Sequence, residues 1–255
     1  MKKKTTTLLA MACAFALSGS FAGAEEDTIK ILHVTGGGFH DYEGQTKIIN
    51  EGLKAAIPGI EITVSAVPST RDAPVEHPAF AQDDWSEGYD LVIYNKCNSA
   101  STNLPDLVRR ITKPHKEGLP AVVIHCTMHC FRPDETGEWN AFLGIESTRH
   151  ERHAPMTVTF ADKDHPILEG LPKTWSYEQG ELYTVISEGD NVVPYAVGVS
   201  SEEVENTVMW TNTYGEGRVF GTTLGHVNET MLADEFQTML KNGVLWALGQ
   251  LDEQE

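Results

Sequence analysis

The stretch TIKILHVTGGGFHD, residues 28–41, sets the frame for the rest of the chain. Thr28 to Thr35 is a short, β-rich apolar run, and Gly36, Gly37 and Gly38 close it. After Asp41, the apolar residues Ile49, Leu53, Ala56 and Ile57 recur at helical spacing. The order is therefore strand, glycine loop, helix. Pro58-Gly59 ends the helix, and IEITVSAV, residues 60–67, alternates as a second strand does. Residues 69–87 are polar and proline-bearing and read as a loop. YDLVIY, residues 89–94, predicts a third strand, followed by a helix over residues 104–116. Gly118-Leu119-Pro120 then opens a fourth strand at residues 121–124. Three βα repeats feeding apolar strands argue for a parallel sheet covered on both faces.

The second half is richer in strands. Strand-like runs fall at residues 155–160, 182–186, 192–199, 208–213 and 218–224, joined by turns such as Glu188-Gly189-Asp190. A closing helix over residues 231–248 places Phe236, Leu240, Val244 and Ala247 on one face. With 255 residues, 40% of them hydrophobic and 22% charged, the chain can build one sizeable core, so a single domain over residues 25–255 is expected. Nineteen basic against thirty-seven acidic side chains give a net charge of -18. Such a surface repels phosphate backbones and anionic membranes, which argues against nucleic-acid binding.

Residues 5–24 are apolar and uncharged behind Lys2, Lys3 and Lys4, and they end in Ala22-Gly23-Ala24. This pattern reads as a signal peptide over residues 1–24, cleaved before Glu25. A periplasmic or secreted protein with no membrane attachment after cleavage is expected. Cys97, Cys126 and Cys130 remain in the mature chain. An odd number in an oxidising compartment fits one disulfide and one free thiol, with a local Cys126–Cys130 bond or two buried thiols as alternatives.

Ligands bind open parallel sheets beyond the carboxyl ends of the strands. Three polar clusters fall at such ends: residues 36–41, residues 125–130 and residues 225–229. The first lacks both the GxGxxG spacing and a GKS or GKT ending, so no nucleotide is expected. Its glycines allow positive φ and let backbone near Gly38 approach a ligand while His40 and Asp41 are presented. The second, HCTMHC, lacks the paired knuckles of a structural zinc site. His125 with distant ligands could instead hold a divalent ion. Ser147 to His153 places Arg149, Arg152, His150 and His153 together, either as a solvated loop or as a positive patch for an anionic or polyhydroxylated ligand. WSYEQGELY, residues 175–183, sets aromatics beside Glu178 and Glu181, which suits a sugar face or simply core and turn.

Taken in order, several segments resemble the ThuA-like (trehalose-utilisation) family of the class I glutamine amidotransferase-like superfamily. They are GFHD at 38–41, YDLVIYNKC at 89–97, GLPAVVIHC at 118–126 and WNAFLGIESTRHERHAP at 139–155. HPILEGLPKTW at 165–175, GELY at 180–183 and GEGRVFGTTLGHVNET at 215–230 complete the set. The resemblance implies a flavodoxin-like three-layer α/β fold with a mostly parallel central sheet and β-rich additions in the C-terminal half.

Amidotransferases of that superfamily carry a nucleophile elbow, GxCxG, after one strand and a histidine closely followed by glutamate after another. Aligned on them, His125 takes the nucleophile position and Cys126 falls one place off. A shift by one residue turns a strand side chain to the other face. His226 takes the histidine position, with Glu229 three residues on. A thiol-based glutaminase is not expected. The resemblance implies instead a pocket in which His40, His125 and His226 meet and Glu181, the acid of GELY, joins them as catalytic residues. His125 and His226 are the candidate metal ligands, with zinc the expected ion. Gly38, Asp41, Arg149, His153, Tyr183 and Glu229 are the candidate substrate contacts.

The family's link to trehalose-type disaccharides and ketosugars, taken with the expected signal peptide, implies an exported carbohydrate-active enzyme, an isomerase, lyase or hydrolase on a sugar derivative. The alternative is a non-catalytic sugar-binding module using Trp175, Tyr177, Tyr183 and the arginines. A small saccharide is the expected partner, and assembly into a homo-oligomer is left open.

Overall fold

The computed structural model describes residues 28–98, 104–132, 134–200 and 203–251, so the expected signal peptide lies outside the described residues. β1 (Ile29–Gly37) pairs in parallel with β2 (Ile60–Ala66) on one side and β3 (Leu91–Cys97) on the other. β3 continues in parallel to β4 (Ala121–Ile124), and β4 to β11 (Gly217–Thr222). The sheet then turns antiparallel through β10 (Glu205–Tyr214), β9 (Val193–Val199), β6 (Ala154–Phe160) and β7 (Thr174–Gly180). Among the described residues this sheet has nine strands, in the order β2-β1-β3-β4-β11-β10-β9-β6-β7. A separate hairpin-like sheet pairs β5 (Ile145–His150) with β8 (Tyr183–Glu188).

Alternation along each strand divides the core in two. On β3, Leu91 and Ile93 pack with Ile49 and Leu53 of α1 (Tyr42–Ala56) and with Phe236 and Leu240 of α5 (Asp234–Ala247). Val92 and Tyr94 point the other way, toward Val108 and Ile111 of α2 (Pro105–Lys116) and Trp139 and Phe142 of α3 (Glu138–Leu143). Helices therefore cover both faces, as the apolar character of the parallel strands requires. This is the expected three-layer α/β fold, with the antiparallel half as its β-rich addition. Among the described residues no helix is long and apolar enough to cross a membrane.

Three local expectations change. The closing helix is broken: α4 (Asn228–Leu232) ends at Ala233, whose backbone is extended, and α5 restarts with Asp234 and Glu235 in its first turn, where acidic side chains complement the helix dipole. Residues 69–87 are more than a polar loop, because a 3-10 turn at Pro78–Ala81 buries His77, Phe80 and Trp85. Residues 147–150, the first part of the charged segment 147–153, belong to β5 (Ile145–His150) and not to a loop.

Three buried histidines away from the strand ends make the fold acid-sensitive. His33 bonds Asn50 Oδ1 at 2.8 Å, and His77 Nδ1 donates to the Ser65 carbonyl at 3.2 Å. His115 Nδ1 donates to the Leu119 carbonyl at 2.7 Å, and its Nε2 meets the Tyr94 hydroxyl at 2.8 Å. Burial is the main cause that lowers His33 and His115 to about 4 and His77 to about 3. They stay neutral in the folded chain, whereas the unfolded chain protonates them below about 6.5. Stability is thus lost as pH falls from about 6.5 toward those lowered values, by roughly 5 kcal/mol for the three together between pH 7 and pH 5. Urea unfolding at the two pH values measures this; equal unfolding free energies would contradict it.

Candidate active site

The parallel strands β1, β4 and β11 end on the same side of the sheet, and each delivers a histidine just beyond its end. His40 follows the glycine loop after β1, His125 directly follows β4, and His226 follows the turn after β11. Glu181 arrives from the short connection between β7 and β8. The ring centroids of His40 lie 4.8 Å from His125 and 5.2 Å from His226, and those two are 5.6 Å apart. One ligand atom from each of His40, His125, Glu181 and His226 lies within 4.8 Å of the others.

His125 has a left-handed backbone, φ 48°, immediately after its strand. That is a strained conformation for a residue with a Cβ, and it is the backbone geometry that lifts a side chain out of a strand end in a nucleophile elbow. Here the lifted group is an imidazole. Its Nδ1 is 2.6 Å from the carbonyl of Thr223. A carbonyl only accepts, so Nδ1 carries a proton and Nε2 is the nitrogen turned toward Glu181. That Nε2 is 3.0 Å from Glu181 Oε2 but is not aligned to donate to it. Nδ1 of His226, 3.3 Å from the same oxygen, and Nδ1 of His40 are likewise buried without a hydrogen-bond partner. Three unsatisfied buried nitrogens converging beside one carboxylate are costly unless something joins them. The donor set of imidazoles and a carboxylate suits a divalent cation, zinc first among them.

The other carboxylate oxygen is differently occupied. Oε1 of Glu181 lies 2.9 Å from His153 Nε2 and 3.2 Å from His150 Nδ1. His150 Nδ1 also reaches the Glu151 carbonyl at 2.7 Å, so it too is a donor and not a ligand. The outer imidazoles therefore orient Glu181, and the inner ones turn toward it nitrogens that have no hydrogen-bond partner. Burial opposes ionisation of Glu181, but the imidazoles of His125 and His226 beside it prevail and hold its carboxyl well below the usual range. For His40, burial first and then the neighbouring His125 and His226 lower the ring to about 3.

His40, Glu181 and His226 line a cavity of about 610 Å³ together with Phe39, Arg71, His129, Arg132, Arg149 and Tyr183. Tyr183 is buried and stacks on His129 with ring centroids 4.1 Å apart. Of the residues singled out in the sequence, His40, Glu181, His226, Arg149, His153 and Tyr183 line this cavity. His125 lies just beneath its floor, buried against Glu181 and Tyr183. Gly38, Asp41 and Glu229, expected as substrate contacts, are not among the lining residues. Asp41 acts instead by holding the loops in place. It caps α1 by accepting from the Gly44 amide at 3.0 Å and ties the first loop to the last by accepting from Asn228 Nδ2 at 2.7 Å. Gln45 is a positioning residue that sequence reading misses. Its Nε2 donates to the carbonyls of Gly225 and His226 at 3.2 and 3.4 Å while its Oε1 accepts from Asn95 Nδ2. Nothing in its local sequence distinguishes it from any other helical glutamine. Trp175, 7% exposed and packed with Tyr177, belongs to the core and not to the cavity.

Cys126 also lines the cavity. Cys97 at the end of β3 and Cys126 after the neighbouring β4 are disulfide-bonded, with Cα atoms 5.1 Å apart, and Cys130 is a free, buried thiol. The local Cys126–Cys130 pairing is thereby corrected, because adjacent parallel strands bring residues 97 and 126 side by side. Cys126 has no thiol to offer as a nucleophile.

A family model described as ThuA, trehalose utilisation, matches residues 30–247, most of the chain. The chain belongs to the ThuA family. That membership ties it broadly to carbohydrate utilisation. Among solved structures, it resembles a ThuA-like protein from Parabacteroides merdae, at 20% identity and a TM-score of 0.71 over 89% of this chain and 93% of that one. A ThuA-like protein from Bacteroides uniformis is 14% identical, with a TM-score of 0.66 over 90% and 95%. The resemblance extends to a GMP synthase component from Thermoplasma acidophilum, 12% identical, with a TM-score of 0.50 over 86% and 96%. These likenesses concern the fold. No curated protein matches the chain.

Proposed function

We propose that this ThuA-family protein is an exported enzyme that acts by isomerisation, elimination or hydrolysis on a sugar derivative bearing an enolisable carbonyl. A ketosugar made from a trehalose-type disaccharide is such a compound. The observation that carries this reading is the convergence of His40, His125, Glu181 and His226 from four separate strand ends on one point at the floor of a cavity. The family's tie to carbohydrate supplies the substrate class, and the Cys97–Cys126 bond supports an oxidising compartment.

The part each residue plays follows from its partners. His125 and His226 aim nitrogens that have no hydrogen-bond partner, and Glu181 one carboxylate oxygen, at a common point, the ligand set of a divalent ion, zinc by preference. When bound, the ion supplies Lewis-acid polarisation of a carbonyl oxygen. Thr223 holds the tautomer of His125 through its carbonyl, and His150 and His153 hold the orientation of Glu181. His40, the remaining imidazole at the common point, is the group left to move the proton beside the carbonyl.

Purified protein mixed with a 3-ketosugar or with the plain disaccharide, and followed by NMR with and without chelator, tests this. Turnover of the ketosugar is expected, abolished by chelator, restored by zinc, and lost in His125→Ala and His226→Ala. Full activity in those two variants would contradict the proposal. So would binding without product under every condition, which is the behaviour of a sugar-binding module.

A further inference from the structure

The wall of the cavity carries a charge pattern that the histidine cluster does not explain. Acidic residues outnumber basic ones thirty-seven to nineteen in the chain, yet among the described residues the cavity is lined by three arginines, Arg71, Arg132 and Arg149, and by one carboxylate, Glu181. Glu181 already faces four imidazoles at 2.9 to 3.3 Å, so it does not neutralise the guanidinium groups. Among the described residues none of the three arginines has a carboxylate partner. Arg71 lies over the Phe39 ring, 4.4 Å from its centroid, and Arg132 donates to the Thr148 carbonyl. They come from three distant parts of the chain: the loop after β2, the segment after residue 130, and β5.

A cleft walled by one sign of charge focuses its field and concentrates ligands of the other sign. A carboxylate returns counter-charge to these guanidinium groups, which the hydroxyls of a neutral sugar do not. We infer that the substrate is a sugar acid, a saccharide derivative whose carboxylate is held by Arg132 and Arg149 while its carbonyl end faces the histidine cluster. The guanidinium fork matches a carboxylate in two parallel hydrogen bonds. Phosphate is the less suitable anion, because the glycine loop cannot form an amide cradle for it: the Gly37 and Gly38 amides already donate to the Pro68 and Cys97 carbonyls at 3.1 Å. The inference rests on the reading of the site given under the proposed function.

Calorimetric titration of the whole protein with D-glucuronate, D-glucose and glucose 1-phosphate tests it. Glucuronate is expected to bind at least about ten-fold tighter than glucose, with an advantage that shrinks as salt is raised. The advantage should fall to the level of glucose in Arg132→Gln/Arg149→Gln. Arg149→Gln alone, at an exposed position, should remove part of it and keeps the test decisive if the double variant does not fold. Equal binding of glucose and glucuronate, an advantage that survives both substitutions, or tighter binding of the phosphate ester would each overturn the inference. A parallel assay separates it from the reading beneath it. If a neutral ketosugar and its uronate counterpart turn over equally well, the sugar-acid inference fails and the active-site reading stands. If neither turns over while glucuronate still binds through the arginines, the catalytic reading fails and the anion site stands.

Discussion

Replacing Glu181 by Gln is expected to lower turnover about a thousand-fold while leaving the chain folded. Among the described residues the carboxylate is the one acid lining the cavity, and it links two sets of groups. Its Oε1 accepts from His150 and His153, and its Oε2 stands opposite nitrogens of His125 and His226 that have no hydrogen-bond partner. An amide keeps the shape of the side chain but removes the charge. If its oxygen stays with the outer imidazoles, its NH2 group then occupies the position facing Nε2 of His125, where it can donate but cannot ligate. The inner nitrogens would be capped by hydrogen bonds and the common point lost. Steady-state kinetics on a ketosugar, with circular dichroism to show folding, measures the effect. Glu178→Gln, at an exposed position on β7, should leave activity unchanged. Near-normal activity in Glu181→Gln would remove the carboxylate from the mechanism.

Gly37→Ala is expected to be the most damaging single change in the first loop, costing about 3 kcal/mol or more of stability and lowering the melting temperature by roughly 10 °C. Two causes add. Gly37 has φ 103°, which an alanine adopts only under strain, and an added Cβ would lie 2.0 Å from the backbone oxygen of Cys97. The neighbour is backbone next to a disulfide, so it cannot move aside. The loop also carries His40 three residues on, so activity should fall together with stability. Gly59→Ala is the comparison: its φ is 76°, but nothing lies within 4 Å of the added Cβ. Only the backbone penalty of roughly 1 kcal/mol applies there. Equal losses in the two variants, measured by thermal unfolding, would show that crowding against β3 is not what requires glycine at 37.

These two residues also mark how far sequence reasoning reaches. Gly37 is legible because a β-branched run that stops at three glycines before a helical pattern has few other structural meanings. The parallel strands are legible for the same kind of reason: Leu91 to Tyr94 must be apolar on both faces, and no solvent-facing strand needs that. β5 is not legible, because its two-stranded sheet buries Ile145 and Ser147 and leaves Thr148, Arg149 and His150 to the cavity side and solvent, so no apolar period appears. The aromatics around Trp175 mislead in the opposite sense, since a buried strand residue and a sugar platform use the same side chain.

Within the site, the histidines are legible because each sits at the end of a predicted strand, where ligands gather. The roles of Asp41 and Gln45 are not, because both act through partners nearly the whole chain away, Asn228 for the one and residues 225 and 226 for the other. Arg71 and Arg132 carry no local signal either. Their meaning comes from facing the same cavity without carboxylate partners, which only the assembled fold reveals.

The central claim is that the imidazoles of His125 and His226 and the Glu181 carboxylate form an ion-holding centre. Elemental analysis of untagged protein, prepared without chelator from an oxidising compartment, tests it most directly. About one equivalent of a divalent transition ion per chain is predicted, zinc foremost, falling below about a tenth in His125→Ala/His226→Ala. Wild-type protein that turns over ketosugar while holding no ion above background, or a double variant that retains the full equivalent, would contradict the account.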